Sequence, residues 1–239
     1  MGLPYKNKKP VIGIVAKPLL NKQLVRTLWS RLVINDEFRS LIYSCGGIPI
    51  GIMPGRYENN ADTLNIIECL DDSDKEDLFR SLNMVDGIIL QGGLTADTYE
   101  IEIVKYALKN NIPIMGICAG FNNIARTLNI PVIEKRELAD IHDVYDIDYR
   151  HSVHINSRHP LSYLFKETTV GVNSLHCMFV ENKDLPSDID VLATSDDGHV
   201  EAFSVNNTKF CLAVKWHPEI MKEPEQKAIF DLLIKAASE

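Results

Sequence analysis

The chain has 239 residues, 45% hydrophobic and 24% charged, enough for one α/β domain (1–239) with a full core. A formal charge of −8 argues against a nucleic-acid or anionic-membrane surface, since both reward clustered Lys and Arg. No stretch approaches the roughly 18 apolar residues of a membrane span, and the five cysteines (45, 69, 118, 177, 211) are scattered without CxxC spacing, as expected of reduced thiols in a cytoplasm.

In chain order, Lys6, Lys8 and Lys9 form a basic, solvated start. The apolar run 11–16 that follows is too short for a signal peptide and reads as a strand. Residues 32–45 predict a helix with Ile34, Phe38, Leu41, Ile42 and Cys45 on one face, stopped by Gly46 and Gly47. A strand at 48–53 is followed by a short helix at 73–82, with Ser73 as cap and Glu76 three residues on. Next come a strand at 85–90, a helix at 97–108 with Asp97 and Glu100 in capping positions, and a strand at 112–117. This β-α-β-α order predicts a parallel sheet covered by helices on both faces. A helix at 121–128 follows. The second half is richer in strands, at 152–155, 168–172, 191–194, 200–205 and 211–215, and closes with a helix at 224–236 whose first turn holds Pro224. Residues 17–29, 55–60 and 134–150 read as loops.

Gly116-Ile117-Cys118-Ala119-Gly120 stands between an apolar strand and a helix. A glycine two places either side of a nucleophile is the sequence form of a nucleophile elbow, where any side chain beside the sharp turn would clash. The turn sets the thiol at a helix N-terminus, where oriented N–H groups favour thiolate. A thiolate nucleophile needs a base and a group to orient that base. Trp216-His217-Pro218-Glu219 ends the last strand. Parallel strands deliver their C-terminal ends to one edge, so Cys118 and His217 are expected in one crevice. In an extended His-Pro-Glu, residues two apart face the same way, and Glu219 is placed to accept from His217. Oxyanion donors are expected from the N–H of Ala119 and from Gly92-Gly93 after the third strand.

These pieces belong to an ordered set that resembles the class I glutamine amidotransferase superfamily, and within it the γ-glutamyl-γ-aminobutyrate hydrolase-like (peptidase C26) family. Pro10-Val11-Ile12-Gly13-Ile14 is similar to the opening strand, and Cys45-Gly46-Gly47-Ile48-Pro49 to the pattern after the first helix. Asp86-Gly87-Ile88-Ile89-Leu90-Gln91-Gly92-Gly93 and Pro113-Ile114-Met115-Gly116-Ile117-Cys118 resemble the oxyanion strand and the elbow. Val172-Asn173-Ser174-Leu175-His176, Asp197-Gly198-His199-Val200-Glu201-Ala202 and Val214-Lys215-Trp216-His217-Pro218-Glu219 complete the set. The resemblance implies a flavodoxin-like fold with a mostly parallel central sheet flanked by helices and a β-rich second half. It also implies a Cys118–His217–Glu219 triad, oxyanion donors at Gly93 and Ala119, and a γ-glutamyl thioester resolved by water.

Family elbows commonly continue Cys-Arg-Gly-x-Gln, whereas this chain reads Cys118-Ala119-Gly120-Phe121-Asn122. The change keeps the chemistry and alters the pocket, with Asn122 offering a shorter amide. The usual His-His-Gln is His176-Cys177-Met178, so His176 remains and two polar neighbours are gone. Ser174 and Glu201 join the substrate-side candidates through the same resemblance. His142, His151, His154 and His159 fall in an Asp- and Tyr-rich segment read as a solvated or substrate-covering loop, not a metal cluster. Trp29, Arg31 and Arg56 sit in or beside predicted loops; Arg suits recognition of a carboxylate, but surface salt bridging is the favoured reading. The expected activity is hydrolysis of a small-molecule γ-glutamyl amide without metal or organic cofactor. The alternatives are a glutaminase subunit serving a separate synthase, or a silent binding protein on the same scaffold. A homodimer is left open.

Overall fold

The computed structural model describes residues 8–18, 32–53, 57–60, 65–68, 70–93 and 98–239. Nine strands share one sheet: β1 (Val11–Val15), β2 (Ile48–Ile52), β3 (Gly87–Leu90), β4 (Ile114–Ile117), β5 (His151–Ile155), β6 (Thr169–Val172), β7 (Ile189–Ser195), β8 (Val200–Val205) and β9 (Cys211–Val214). Their spatial order is β6-β5-β7-β8-β9-β4-β3-β1-β2. From β2 to β9 the neighbours run parallel, and from β9 outward to β6 each pairing is antiparallel. The decisive strand is β9. After the antiparallel excursion the chain returns and lies parallel to β4, with Val214 opposite Ile117.

Among the described residues, five helices of nine residues or more accompany the sheet: α1 (Asp36–Ser44), α2 (Asp72–Leu82), α3 (Thr98–Lys109), α4 (Ala119–Thr127) and α5 (Pro224–Ser238). The parallel strands read as continuous apolar runs because both faces are buried. Ile12, Ile14, Ile89, Met115, Leu212 and Val214 pack toward Phe38 and Ile42 of α1 and Ile229, Phe230 and Leu233 of α5. Their alternate neighbours Val15, Ile88, Leu90, Ile114 and Ala213 pack toward Leu78 and Leu82 of α2, Ile103 of α3, and Phe121 and Ile124 of α4. Each fully buried Leu, Ile, Val or Phe contributes about 1.5–3 kcal/mol. Two cores therefore clamp the strands whose ends carry the site.

Several expected boundaries move. Leu32–Val33 does not begin a helix but pairs antiparallel with Lys17–Pro18. The helix starts at Asp36 because Asn35 is extended and Asp36 and Glu37 favour the positive end of the helix dipole. The cap of α2 is Asp71, not Ser73. Its carboxylate accepts from Asp74 N at 2.8 Å, and Asp74 returns the bond to Asp71 N. Tyr57–Asn60, expected as loop, pairs with Asn65–Glu68. The segment 134–150 also holds more order than expected: Ile133–Glu134 pairs with Met178–Phe179, and Ala139–His142 forms a helical turn. Trp29, Arg31, Arg56, Asp97 and Cys69 lie outside the described residues. Among the described residues, no helix is long and apolar enough to cross a membrane.

Candidate active site

Three neighbouring parallel strands, β3, β4 and β9, end at one edge of the sheet. Gln91-Gly92-Gly93 follows β3, Cys118 follows β4, and Trp216-His217 follows β9. Cys118 N donates to Val214 O at 2.9 Å, which ties the elbow to the strand that carries the histidine. The turn forces Cys118 to φ 51°, ψ −98°, a conformation that only a tightly constrained non-glycine residue adopts. Both flanking glycines are required by contact. A Cβ at Gly116 would stand 2.6 Å from the backbone of Gly120, and one at Gly120 would stand 2.2 Å from Leu90 O.

The thiol and the imidazole meet. His217 Nδ1 bonds Glu219 Oε1 at 2.7 Å, a contact made by the 3₁₀ turn Pro218–Ile220. That leaves the other edge of the ring for Cys118. A Cβ built on Gly92 would stand 3.2 Å from His217 Nε2 and 3.3 Å from Cys118 Cβ, so thiol and imidazole are placed for a hydrogen bond, while Sγ also approaches Leu175 O at 3.8 Å. Burial pushes the thiol up, but the His217 charge, that hydrogen bond and the Lys215 charge outweigh it, so Cys118 titrates below an ordinary thiol. Burial pushes His217 down, yet the Cys118 thiolate and Glu219 carry it well above the ordinary imidazole. Both shifts run in the direction of a thiolate–imidazolium pair, with Glu219 behind the ring.

Gly92 and Gly93 line the opposite wall. A Cβ on Gly92 would fall 2.3 Å from His217 Cε1 and 3.3 Å from Cys118 Cβ, so only glycine lets this backbone pass. Gly93 has φ +133°. Ala119 is the first residue of α4, where an N–H has no partner within the helix. The cleft in front of Cys118 has a volume of about 630 Å³, and Asn122, Arg126 and His176 also line it.

Three positioning residues escape the sequence reading. The Asn173 side chain accepts from His217 N and donates to His217 O, both at 2.8 Å, and so clamps the histidine by its backbone. Gln91 donates to Val15 O and Val33 O and accepts from Asn35 N, which fixes the Gly92-Gly93 turn. Lys215, fully buried, donates to Asn122 Oδ1 at 2.5 Å, and burial pushes its ammonium down to about 8. Asn173, Gln91 and Lys215 all lie inside the quoted motifs, but nothing in the sequence reveals what their side chains touch.

The substrate-side candidates divide. Asn122 and His176 reach the cleft, although Asn122 directs its amide oxygen to Lys215. Ser174 and Glu201 do not line it. Ser174 Oγ donates to His142 O at 2.9 Å, and Glu201 is buried among histidines, where burial pushes its carboxyl up. The reading of the histidine-rich segment as solvated is corrected by burial. His142, His151 and His159 are all inside, and only His154 is exposed. His142 packs against the rings of His151, His176 and Phe179, and His159 bonds Ser204 Oγ.

Residues 94–219 match the peptidase C26 family. The chain is 27% identical to the gamma-glutamyl-gamma-aminobutyrate hydrolase PuuD of Escherichia coli, over 88% of this chain and 85% of that one. It is 25% identical to a putative glutamine amidotransferase-like protein of Rickettsia prowazekii, over 96% and 98% of the two chains. A putative GMP synthase subunit from Thermoplasma acidophilum superposes with a TM-score of 0.64 at 17% identity, covering 97% of this chain and 96% of that one. Fold and family together define a hydrolase of the glutamine amidotransferase type. The chain belongs to the peptidase C26 family.

Proposed function

We propose that the protein is a cysteine hydrolase that cleaves the γ-glutamyl amide of a small amine or amine-bearing metabolite, with Cys118, His217 and Glu219 as the triad. The observation that carries this reading is the His217 imidazole beside Cys118 with its Nδ1 held by Glu219 Oε1 at 2.7 Å. The Cys118 thiolate attacks the γ-carbonyl carbon. The resulting oxyanion accepts from the N–H groups of Ala119 and Gly93. The His217 imidazolium gives its proton to the amine nitrogen, the C–N bond breaks, and the amine leaves. Neutral His217 then takes a proton from water as the water oxygen attacks the thioester. The C–S bond breaks, glutamate leaves, and the thiolate–imidazolium pair is restored.

Similarity to PuuD supports the γ-glutamyl part of this reading. Arg126 in the cleft wall supplies a guanidinium, the kind of group that recognises a carboxylate. The test is a panel of γ-glutamyl amines and free glutamine, with wild type and Cys118→Ser side by side. Amine release is expected from the wild type and not from the variant, with a glutamyl adduct trapped on Cys118 by mass spectrometry. Equal turnover by both proteins would refute the mechanism. Similarity to a synthase subunit favours one second reading, delivery of ammonia from glutamine to a separate synthase. Free-glutamine turnover that rises only with an added partner would select it.

A further inference from the structure

Behind the cleft wall, four side chains from distant parts of the chain converge without hydrogen-bonding one another. Glu201 on β8 is 1% exposed, and among the described residues its carboxylate oxygens have no hydrogen-bond partner. Around it stand His142 Nδ1 and His176 Nε2, 3.8 and 3.6 Å from Oε1, and His151 Nε2, 4.0 Å from Oε2. These separations are too long for hydrogen bonds. Among the described residues, the Nε2 atoms of His151 and His176 are also buried without partners, and His142 Nδ1 has Ser174 Oγ alone, at 3.4 Å. The nearby Lys215 ammonium donates to Asn122, not to Glu201. Leaving such groups unpartnered in a dry interior is costly, at about 1–3 kcal/mol for each neutral group.

From this geometry we propose that His142, His151, His176 and Glu201 form a closed, buried site for a zinc-class divalent cation. The ligand atoms of His142, His151 and Glu201 lie within 4.8 Å of one another. Ligands about 2.0–2.1 Å from a tetrahedral zinc stand about 3.4 Å apart, so the 3.6–4.0 Å gaps from Glu201 to the three histidines close by a few tenths of an ångström on binding. The wider spacings between ligand atoms, up to 4.8 Å within the His142–His151–Glu201 group, close by more, and His176 swings in beside them. Three imidazoles and one carboxylate fill all four positions, which describes a structural site and not a water-activating one. The surroundings match such a role. His142 turns its other nitrogen, Nε2, to Asp197 Oδ2 at 3.0 Å. A carboxylate behind a ligating histidine fixes its ring and tautomer. Asp197 is itself anchored by Ser195 and by His199.

The site would tie together three segments. His142 ends the turn Ala139–His142, His151 opens β5, and His176 belongs to the loop whose Leu175, Cys177 and Met178 line the cleft. A bound ion would fix the wall that faces Cys118 while taking no part in the thiol chemistry. The inference stands independently of the amine released.

The test uses the full chain, stripped by chelator and then given Zn²⁺ or Co²⁺ alone. One equivalent per chain is expected to survive dialysis and to raise the unfolding temperature. Since the Cys118 thiolate is a competing ligand, Cys118→Ser is measured in parallel and is expected to bind one equivalent unchanged. The Co²⁺ complex is expected to lack thiolate-to-metal charge-transfer absorption. Glu201→Gln and His151→Ala are expected to lose binding, and Asp197→Asn to weaken it about 10- to 100-fold. Far-ultraviolet circular dichroism of these variants checks that they fold. Absence of stoichiometric binding by the folded wild type would mean that water fills the cluster and would overturn the proposal. Binding that disappears in Cys118→Ser, or persists undiminished in Glu201→Gln and His151→Ala, would overturn it equally.

Discussion

The parallel and antiparallel halves of the sheet build their polar centres in different ways. At the ends of β3, β4 and β9, the geometry of the proposed active site follows from short local patterns: Gly-Gly, Gly-x-Cys-x-Gly and His-Pro-Glu. Each pattern is a backbone requirement, and adjacent parallel strands bring the three to one edge. On the antiparallel side, His142, His151, His176 and Glu201 come from four separate elements, and no short pattern announces their meeting. The first centre is written in local sterics, and the second emerges only from tertiary packing. Substitutions should therefore affect them differently.

The largest effect is expected at His217. His217→Asn removes the base, the acid and the partner charge of the thiolate, and turnover should fall about 100- to 10,000-fold. The pH profile carries the sharper information. Cys118 titrates below an ordinary thiol, so its reactive thiolate persists as pH falls below the usual thiol range and is lost only when pH falls through its own lowered value. His217, raised, keeps its charge up to its own higher value. Both shifts stabilise the folded pair between those two limits. In His217→Asn, the alkylation rate of Cys118 by a neutral haloacetamide should move to higher pH. An unmoved profile would mean that Lys215 or the helix terminus activates the thiol without the imidazole.

Next comes the elbow. Gly120→Ala places a methyl 2.2 Å from Leu90 O, and backbone cannot rotate away as a side-chain tip can. Stability should fall by at least about 1–3 kcal/mol, with a larger proportional loss of activity as β3 and its Gly92-Gly93 turn are pushed from Cys118. Chemical denaturation and kcat measured together check this. Normal kcat in a destabilised protein would show that elbow geometry and turnover are separable.

Asn173 links the two halves. It follows β6 at the far antiparallel edge, yet its side chain makes two 2.8 Å bonds to the backbone of His217. Asn173→Ala removes both, each worth roughly 1 kcal/mol net. Since His217 keeps Glu219, the expected outcome is a several-fold drop in kcat with KM little changed. A KM effect alone would place Asn173 on the substrate side.

These cases show what was legible beforehand. The β-α-β-α succession of the first half, the parallel sheet covered on both faces and the meeting of Cys118, His217 and Glu219 at one sheet edge follow from residue type and spacing. The α1 start did not, because Leu32 and Val33 continue the apolar period of the helix while tertiary pairing with Lys17 and Pro18 overrides it. Glu201 and Ser174 were legible as motif members but not as residues turned away from the cleft. A period-2 strand specifies a face, not what covers that face. The burial of His142 and His151 was equally hidden, since Asp and Tyr neighbours give the same composition to a solvated loop and to the rim of a buried cluster.

The smallest expected effect supplies the reference for all the others. Asp71 caps α2 through a reciprocal pair of bonds with Asp74, and α2 packs on the parallel half through Leu78 and Leu82 without lining the cleft. Asp71→Ala removes one cap acceptor and one negative charge from the positive end of the helix. The expected cost is about 1 kcal/mol of stability at unchanged kcat/KM. Because α2 shares its core with Leu90 of β3 and Phe121 of α4, which flank the site, a loss of activity here would mean that general loosening of the parallel half suffices to disable the site. Activity losses in Gly120→Ala and Asn173→Ala could then no longer be assigned to local geometry. If Asp71→Ala is destabilised and fully active, the strand ends hold their geometry against a softened core, and the elbow and clamp effects are their own.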